Sequence, residues 1–348
     1  MKPFRVRRRL ERLVACTACA IAPVLAGAST PAAGPHRAEA SVSLAFVGDV
    51  MLDDGPGRTI RDGRDPIAAF APILAGADLR IANLECVVAT RGKAEPRKPY
   101  TFRAHPRVLP LLARHFDAVS VANNHSGDYG PAAFAQMLAR LEGARVGYFG
   151  GGRDLSRAHR AIVLQRHGLR IALLGYNEFM PRSFEAGADR PGIAWSEDEH
   201  LRIDIARARE RADLVIVFMH WGWEYEPKAN ARQRSLARLA IDAGADAVVG
   251  GHPHVTQDIE RHRGRPIFYS LGNFVFDGFE EPAARRGWLL RLELDRQGVR
   301  AWRTVVARID SSGSPRPSRR DPGLCWSRGD SKPAPCTTPA PTVRTSAH

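Results

Sequence analysis

Residues 245–255 read ADAVVGGHPHV. A short apolar run, Ala247 to Val249, ends on Gly250 and Gly251, and two histidines, His252 and His254, follow on either side of Pro253. Apolar runs of this length, bounded by turn residues, suit strands buried on both faces. The histidines then admit two readings: incidental members of a tight turn, or ligands of a metal ion. The other runs decide between them. SLAFVG (43–48) is followed by Asp49, LRIA (79–82) by Asn83 and Glu85, AVSVA (118–122) by Asn123, Asn124 and His125, and VIVFM (215–219) by His220. In open α/β sheets, ligands gather beyond the carboxyl ends of the strands. Several strand ends that each carry a metal-capable or acid–base group favour the metal reading.

Between the runs lie helical patterns: DPIAAFAPILAGA (65–77), PAAFAQMLARLE (131–142), EDEHLRIDIARARERA (197–212) and ARQRSLARLAIDAGA (231–245). Pro131 suits a first helical turn and Gly244 a helix stop. Strand–helix alternation predicts an α/β fold. Near the end, RPIFYSLGNFVF (265–276), GWLLRLELD (287–295) and VRAWRTVVARI (299–309) succeed one another without helices, so the sheet gains an antiparallel part.

The folded unit is expected over 41–310, and at 44% hydrophobic residues the chain can fill a sizeable core. Residues 1–40 read as an export leader: Lys2, Arg5, Arg7, Arg8, Arg9 and Arg12 precede the apolar LVACTACAIAPVLAGA (13–28). The expectation is therefore a periplasmic or extracellular protein, with membrane association through an uncleaved leader as the runner-up. Residues 311–348, rich in Pro, Ser and Thr, read as a disordered tail. Cys325 and Cys336 fall there, and an exported protein allows a disulfide between them. The formal charge of +14 comes from scattered arginines and implies attraction to anionic polymers or phosphate substrates. No nucleic-acid motif is present, and nucleic acid is not expected as a partner.

Carboxylate, carboxamide and imidazole without thiolate suit Mn, Fe or Zn rather than a structural thiolate zinc. Two such ions roughly 3.5–4 Å apart could clamp both oxygens of a displacement at phosphorus. The motifs FVGDVML (46–52), IANLE (81–85), SVANNH (120–125), HWGWEYEP (220–227), LAIDAGADAVVGGHPHVTQDIE (239–260) and IFYSLGNFVFD (267–277) then become specific together. In order and spacing they resemble the CapA-like capsule (poly-γ-glutamate) synthesis proteins, a branch of the metallophosphoesterase (calcineurin-like) superfamily, over roughly 43–306.

The resemblance implies an αββα sandwich of mixed sheets flanked by helices. It implies metal ligands at Asp49, Asn124, His220, His252 and His254, and His125 as the acid that protonates a leaving oxygen. Met51 stands where the superfamily's D-x-H motif has its histidine. Asn83 aligns with the bridging aspartate, and Glu85 is the nearest carboxylate. A single ion and a rearranged pair bridged by Glu85 both stay open. Substrate contacts are expected from Asn83, Asn123, Trp221, Trp223 and Asn273, the two tryptophans forming a wall able to stack on a flat group. His105, His115, His159, His167, His200 and His262 read as surface residues. The implied function is a part in anionic-polymer biosynthesis, as a metal-dependent hydrolase acting on polymer or phosphoester, or as a non-catalytic polymer-binding or export accessory working with membrane-bound synthesis components.

Overall fold

Each long strand of the molecule splits its side chains between two cores, and this alternation builds the architecture. In strand Val42–Val50, Val42, Leu44 and Phe46 enter one buried cluster while Ala45 and Val47 enter another. In strand Leu214–His220, Leu214, Ile216 and Phe218 share the first cluster, and Val215, Val217 and Met219 enter a third. Side chains alternate with a period of two, so the cluster common to both strands lies between two stacked sheets. The other two clusters hold the helices. Helix Gly130–Gly143 packs Phe134, Met137 and Leu141 against the first sheet. Helices Asp198–Arg211 and Ala231–Asp242 pack Leu201, Ile205, Leu236 and Ala240 against the second. The result is the expected four-layer αββα sandwich. The computed structural model describes residues 40–180 and 182–337; the leader expected at 1–40, apart from Ala40, lies outside them.

The first sheet is mixed. Val42–Val50, Leu79–Leu84, Ala118–Ser120 and Gly147–Phe149 run parallel, in that order. On the other side of Val42–Val50, strands Arg286–Asp295 and Gly298–Ile309 run antiparallel. In the second sheet, Leu169–Asn177, Leu214–His220, Ala247–Gly251 and Arg265–Phe268 are parallel neighbours, edged by antiparallel Ile162–Arg166 and Ile259–His262.

Local sequence explains the helix ends. Asn230 caps Ala231–Asp242 through a reciprocal capping box with Gln233. Gly244, just past that helix, adopts φ of 116°, a conformation glycine takes without a Cβ penalty. Pro131 opens helix Gly130–Gly143 as expected.

The tail departs from expectation. Instead of being disordered from 311, the chain continues the first sheet: Pro315–Pro317 and Leu324–Ser327 pair with Gly298–Ile309, and Ala334–Pro335 adds a last edge strand. Two anchors account for this. Trp326 lies opposite Trp302 and joins the inter-sheet core, and Cys325 is bonded to Cys336. Prolines are tolerated because these are edge strands. Residues 338–348 of the expected tail lie outside the described residues.

Candidate metal centre

The parallel strands of both sheets end on the same edge, and their registers bring the polar residues level. Asp49 pairs with Asn83 and Asn273, and His220 pairs with Asn177 and Gly251. Asp49, Glu85, His220 and His252 are fully buried, and His254 is 4% exposed. Two groups form with ligand atoms all within 4.8 Å of one another: Glu85, His252 and His254, and Asp49, Glu85 and His220. Glu85 belongs to both. Its Oε1 lies 3.6 Å from His220 Nε2 and 3.9 Å from His254 Nε2.

The GGHPHV turn is shaped for this. His252 and His254 take φ of 96° and 58°, in a region that favours glycine. Such strain costs about 1–3 kcal/mol per residue and persists where the surrounding structure imposes it. Gly251 is required by proximity: a Cβ there would lie 2.6 Å from Asp49 Oδ1. The backbone N–H of His252 donates to Asp49 Oδ2 at 3.2 Å, tying the turn to the first sheet.

Carboxamides orient the ring nitrogens and carboxylate. His254 Nδ1 donates to Asn273 Oδ1 at 2.8 Å, leaving Nε2 to face Glu85. Asn83 Nδ2 donates to Asp49 Oδ1 at 2.8 Å and lies 3.1 Å from His220 Nδ1. His220 Nε2 lies 2.7 Å from Asn124 Oδ1. Asn123 Nδ2 donates to Asn83 Oδ1 and to the Leu84 carbonyl, and Asn123 Oδ1 accepts from His125 N. Such outer hydrogen bonds fix ring tautomer and direction.

The side chains of two members make no hydrogen bond among the described residues. Both carboxylate oxygens of Glu85 and both ring nitrogens of His252 are buried without a hydrogen bond. A buried polar group left unpaired is destabilising by about 1–3 kcal/mol, more if charged. Burial, with the Asp49 charge adding to it, pushes the Glu85 carboxyl well above its usual range. Burial holds His220 and His252 well below the usual imidazole range. Burial also pulls His254 down, but its hydrogen bond to Asp49 and that carboxylate's charge outweigh it, and the net shift is upward. Two imidazoles held neutral beside carboxylates, with unpaired lone pairs converging, fit a divalent cation.

His125 stands beside this cluster in a different setting. Its Nδ1 bonds to Asp128 Oδ2 at 2.8 Å, and its ring packs against Phe102 with centroids 4.5 Å apart. Burial lowers it to about 4, against the opposing pull of Asp128. Lys98 Nζ reaches Asp128 Oδ1, the Asn124 carbonyl and His125 Nδ1. Sequence reasoning missed both Asp128 and Lys98. Asp128 stands three residues after His125 in NNHSGD and was readable as its partner; Lys98 comes from a loop that carries no motif.

Several expectations need correction. Trp221 is no substrate wall: it is fully buried, and its Nε1 donates to the Tyr269 carbonyl at 2.8 Å. Trp223, two residues on, is 64% exposed and meets Phe179 edge to face, so only it remains available to a ligand. Asn83, Asn123 and Asn273, expected at substrate, are buried: Asn83 and Asn273 spend their amides on Asp49 and His254, and Asn123 spends its amide on Asn83. Of the histidines read as surface residues, His115 is buried with Nε2 2.7 Å from Asp65, and His159 Nδ1 lies 2.7 Å from Asp204.

Comparison with known proteins agrees with this geometry. A family model described as bacterial capsule synthesis protein PGA_cap matches residues 43–278. The PGA biosynthesis protein CapA of Bacillus subtilis (strain 168) is 34% identical over 293 residues, 80% of this chain and 74% of that protein. The capsule biosynthesis protein CapA of Bacillus anthracis is 30% identical over 340 residues, 90% of this chain and 80% of that one. Among solved structures, a 5'-nucleotidase precursor from Thermus thermophilus superposes with a TM-score of 0.52 at 15% identity, over 79% of this chain and 56% of that one, a likeness of fold alone. Sandwich, strand-end cluster and sequence matches lead to one conclusion: the chain belongs to the bacterial capsule synthesis (CapA) family and is built on the metallophosphoesterase fold.

Proposed function

We propose that this protein takes part in making an anionic capsular polymer of the poly-γ-glutamate type, outside the cytoplasm, as a divalent-metal-dependent hydrolase or transferase. The observation that carries the metal assignment is the set of unpaired buried atoms on Glu85 and His252, inside a cluster whose other members are held in place. Asp49, Glu85, Asn124, His220, His252 and His254 would hold one or two ions of Mn, Fe or Zn. A bound ion would supply Lewis acidity and lower the pKa of a water. The chain's own residues do the rest. Asp128 holds His125 Nδ1, which directs the remaining ring nitrogen outward as a proton carrier for a leaving oxygen. Lys98 neutralises Asp128 and holds it beside His125. Asn273 and Asn83 engage the Nδ1 atoms of His254 and His220 and so keep their Nε2 atoms toward Glu85. The apolar leader at 1–40 supports export, to the periplasm or beyond, where the partners would be membrane-bound polymer-synthesis components.

One observation favours a second reading, a non-catalytic polymer-binding or export accessory. Met51, where related phosphoesterases place a histidine, is 1% exposed and packs in the helix-side core of the first sheet. The cluster therefore lacks one imidazole. Turnover separates the two. The full chain supplied with Mn²⁺, Fe²⁺ or Zn²⁺ is expected to cleave a chromogenic phosphodiester or shorten poly-γ-glutamate, and His125→Gln should suppress that activity. A metal-loaded chain inert toward both would leave the accessory role.

A further inference from the structure

On the outer side of the second sheet, away from the strand-end cluster, lies a cavity of about 510 Å³ between residues 155–163 and helix Asp198–Arg211. Three arginines line it: Arg160, Arg207 and Arg211. Among the described residues none of their guanidinium groups has a hydrogen bond or ion pair, whereas most arginines elsewhere on this surface face a carboxylate, as Arg209 faces Asp246 and Arg232 faces Asp198. Two imidazoles share the wall. The rings of His159 and His200 meet with centroids 4.6 Å apart, and His159 Nε2 and His200 Nδ1 are buried with no partner. The one carboxylate in the lining, Asp204, is already engaged by His159 Nδ1 at 2.7 Å and by the Tyr176 hydroxyl at 3.0 Å. Val163 and Ile203, each 36% exposed, add apolar surface to the same wall.

Unpaired guanidinium groups select oxyanions over cations, and they bind carboxylates in a planar, two-pronged geometry. The two imidazole rings pack against each other and wall the cavity. The apolar positions between them suit methylene groups. We propose that this cavity is a second binding site, for a flexible chain bearing carboxylates on methylene arms, separate from the strand-end centre. The assignment of a polymer to it rests on the function proposed above; the anion preference rests on the cavity alone.

The test is binding of a γ-linked glutamate hexamer to the full-length chain by titration calorimetry, at low and at 0.5 M salt. Three proteins are compared: wild type, Arg207→Ala with Arg211→Ala, and His252→Ala with His254→Ala. Both arginines are exposed, so the first variant keeps its fold; its melting temperature and metal content serve as controls. The expected result is at least a tenfold loss of the salt-sensitive hexamer-binding step in the arginine variant, and retention of that step in the histidine variant even where a separate step at the strand-end centre is lost. Hexamer affinity unchanged in the arginine variant would overturn the site. Binding lost only in the histidine variant would do the same while leaving the metal centre's function standing. Inorganic phosphate binding as tightly as the hexamer, and competing with it, would overturn the polymer assignment in favour of a compact-anion site.

Discussion

His115 and His252 are both buried imidazoles in one domain, yet they differ in every other respect. His115 lies at the end of a helix with its Nε2 2.7 Å from Asp65, a complete pair. His252 sits in a strained turn, and neither of its ring nitrogens has a hydrogen bond. The first is finished by the chain; the second, on the function proposed above, would be finished by a bound cation. Burial alone does not mark a functional histidine. Burial with an unmet lone pair, beside a carboxylate equally unmet, marks a candidate.

Four experiments put that contrast to the test. The largest effect is expected at His125, whose Nδ1 is spent on Asp128. His125→Gln should lower metal-dependent turnover by about 10²–10⁴-fold while leaving bound metal unchanged. Equal loss of metal would make His125 part of the cation cluster instead.

The second concerns pH. Burial lowers His125 from 6.5 to about 4, so the unfolded chain binds more protons there than the folded one. Stability from this group is intact above about 6.5 and falls as pH drops toward 4, by at most about 1.4 kcal/mol per pH unit. In metal-stripped protein, His125→Gln should flatten that part of the acid limb in denaturant melts. An unaltered slope would mean the proton is taken up elsewhere.

The third is the Cys325–Cys336 bond, which closes a separation of 11 residues. Replacing both cysteines by serine should reduce unfolding free energy by about 2–3 kcal/mol and speed hydrogen exchange in 324–335 before the rest of the sheet. Buried Cys86 is the counterpart: burial pushes its thiol up, so it should resist alkylation in the folded protein.

The fourth compares the two histidines directly. His115→Leu should cost about 1–2 kcal/mol, because it leaves Asp65 partly unpaired. His252→Leu in metal-stripped protein should cost nothing or stabilise by a similar amount, since it removes unpaired polar atoms. A cost as large as that of His115→Leu would show that His252 is satisfied by the chain itself.

The range of each interaction decides how much of the molecule was legible in the sequence. Asp49, His220, His252 and His254 were readable because a buried parallel strand announces itself as an apolar run, and the residues just beyond that run lie at the sheet edge. The four-layer arrangement came from the resemblance and from runs too apolar to have a wet face. The roles of Asn83, Asn123 and Asn273 were not readable. Asn83 reaches a histidine 137 residues away, and no local pattern distinguishes an amide that contacts substrate from one that aims a ligand. Trp221 and Trp223 look alike in HWGWEYEP, but only the packing of Tyr269 over Trp221 separates them. In the tail, a composition typical of disorder concealed one tryptophan and one disulfide, which suffice to hold short edge strands.

The unmet atoms of Glu85 and His252 are the ground for the proposed cation site. The most direct measurement is metal content per chain by mass spectrometry, on the purified full-length protein after equilibration with Mn²⁺, Fe²⁺ or Zn²⁺, for wild type and for His252→Ala with His254→Ala. One or two ions per chain in the wild type, falling to near zero in the variant while the fold persists by circular dichroism, is the expected result. No bound ion in the wild type, with both proteins equally stable, would contradict the claim and return the GGHPHV turn to a purely structural role.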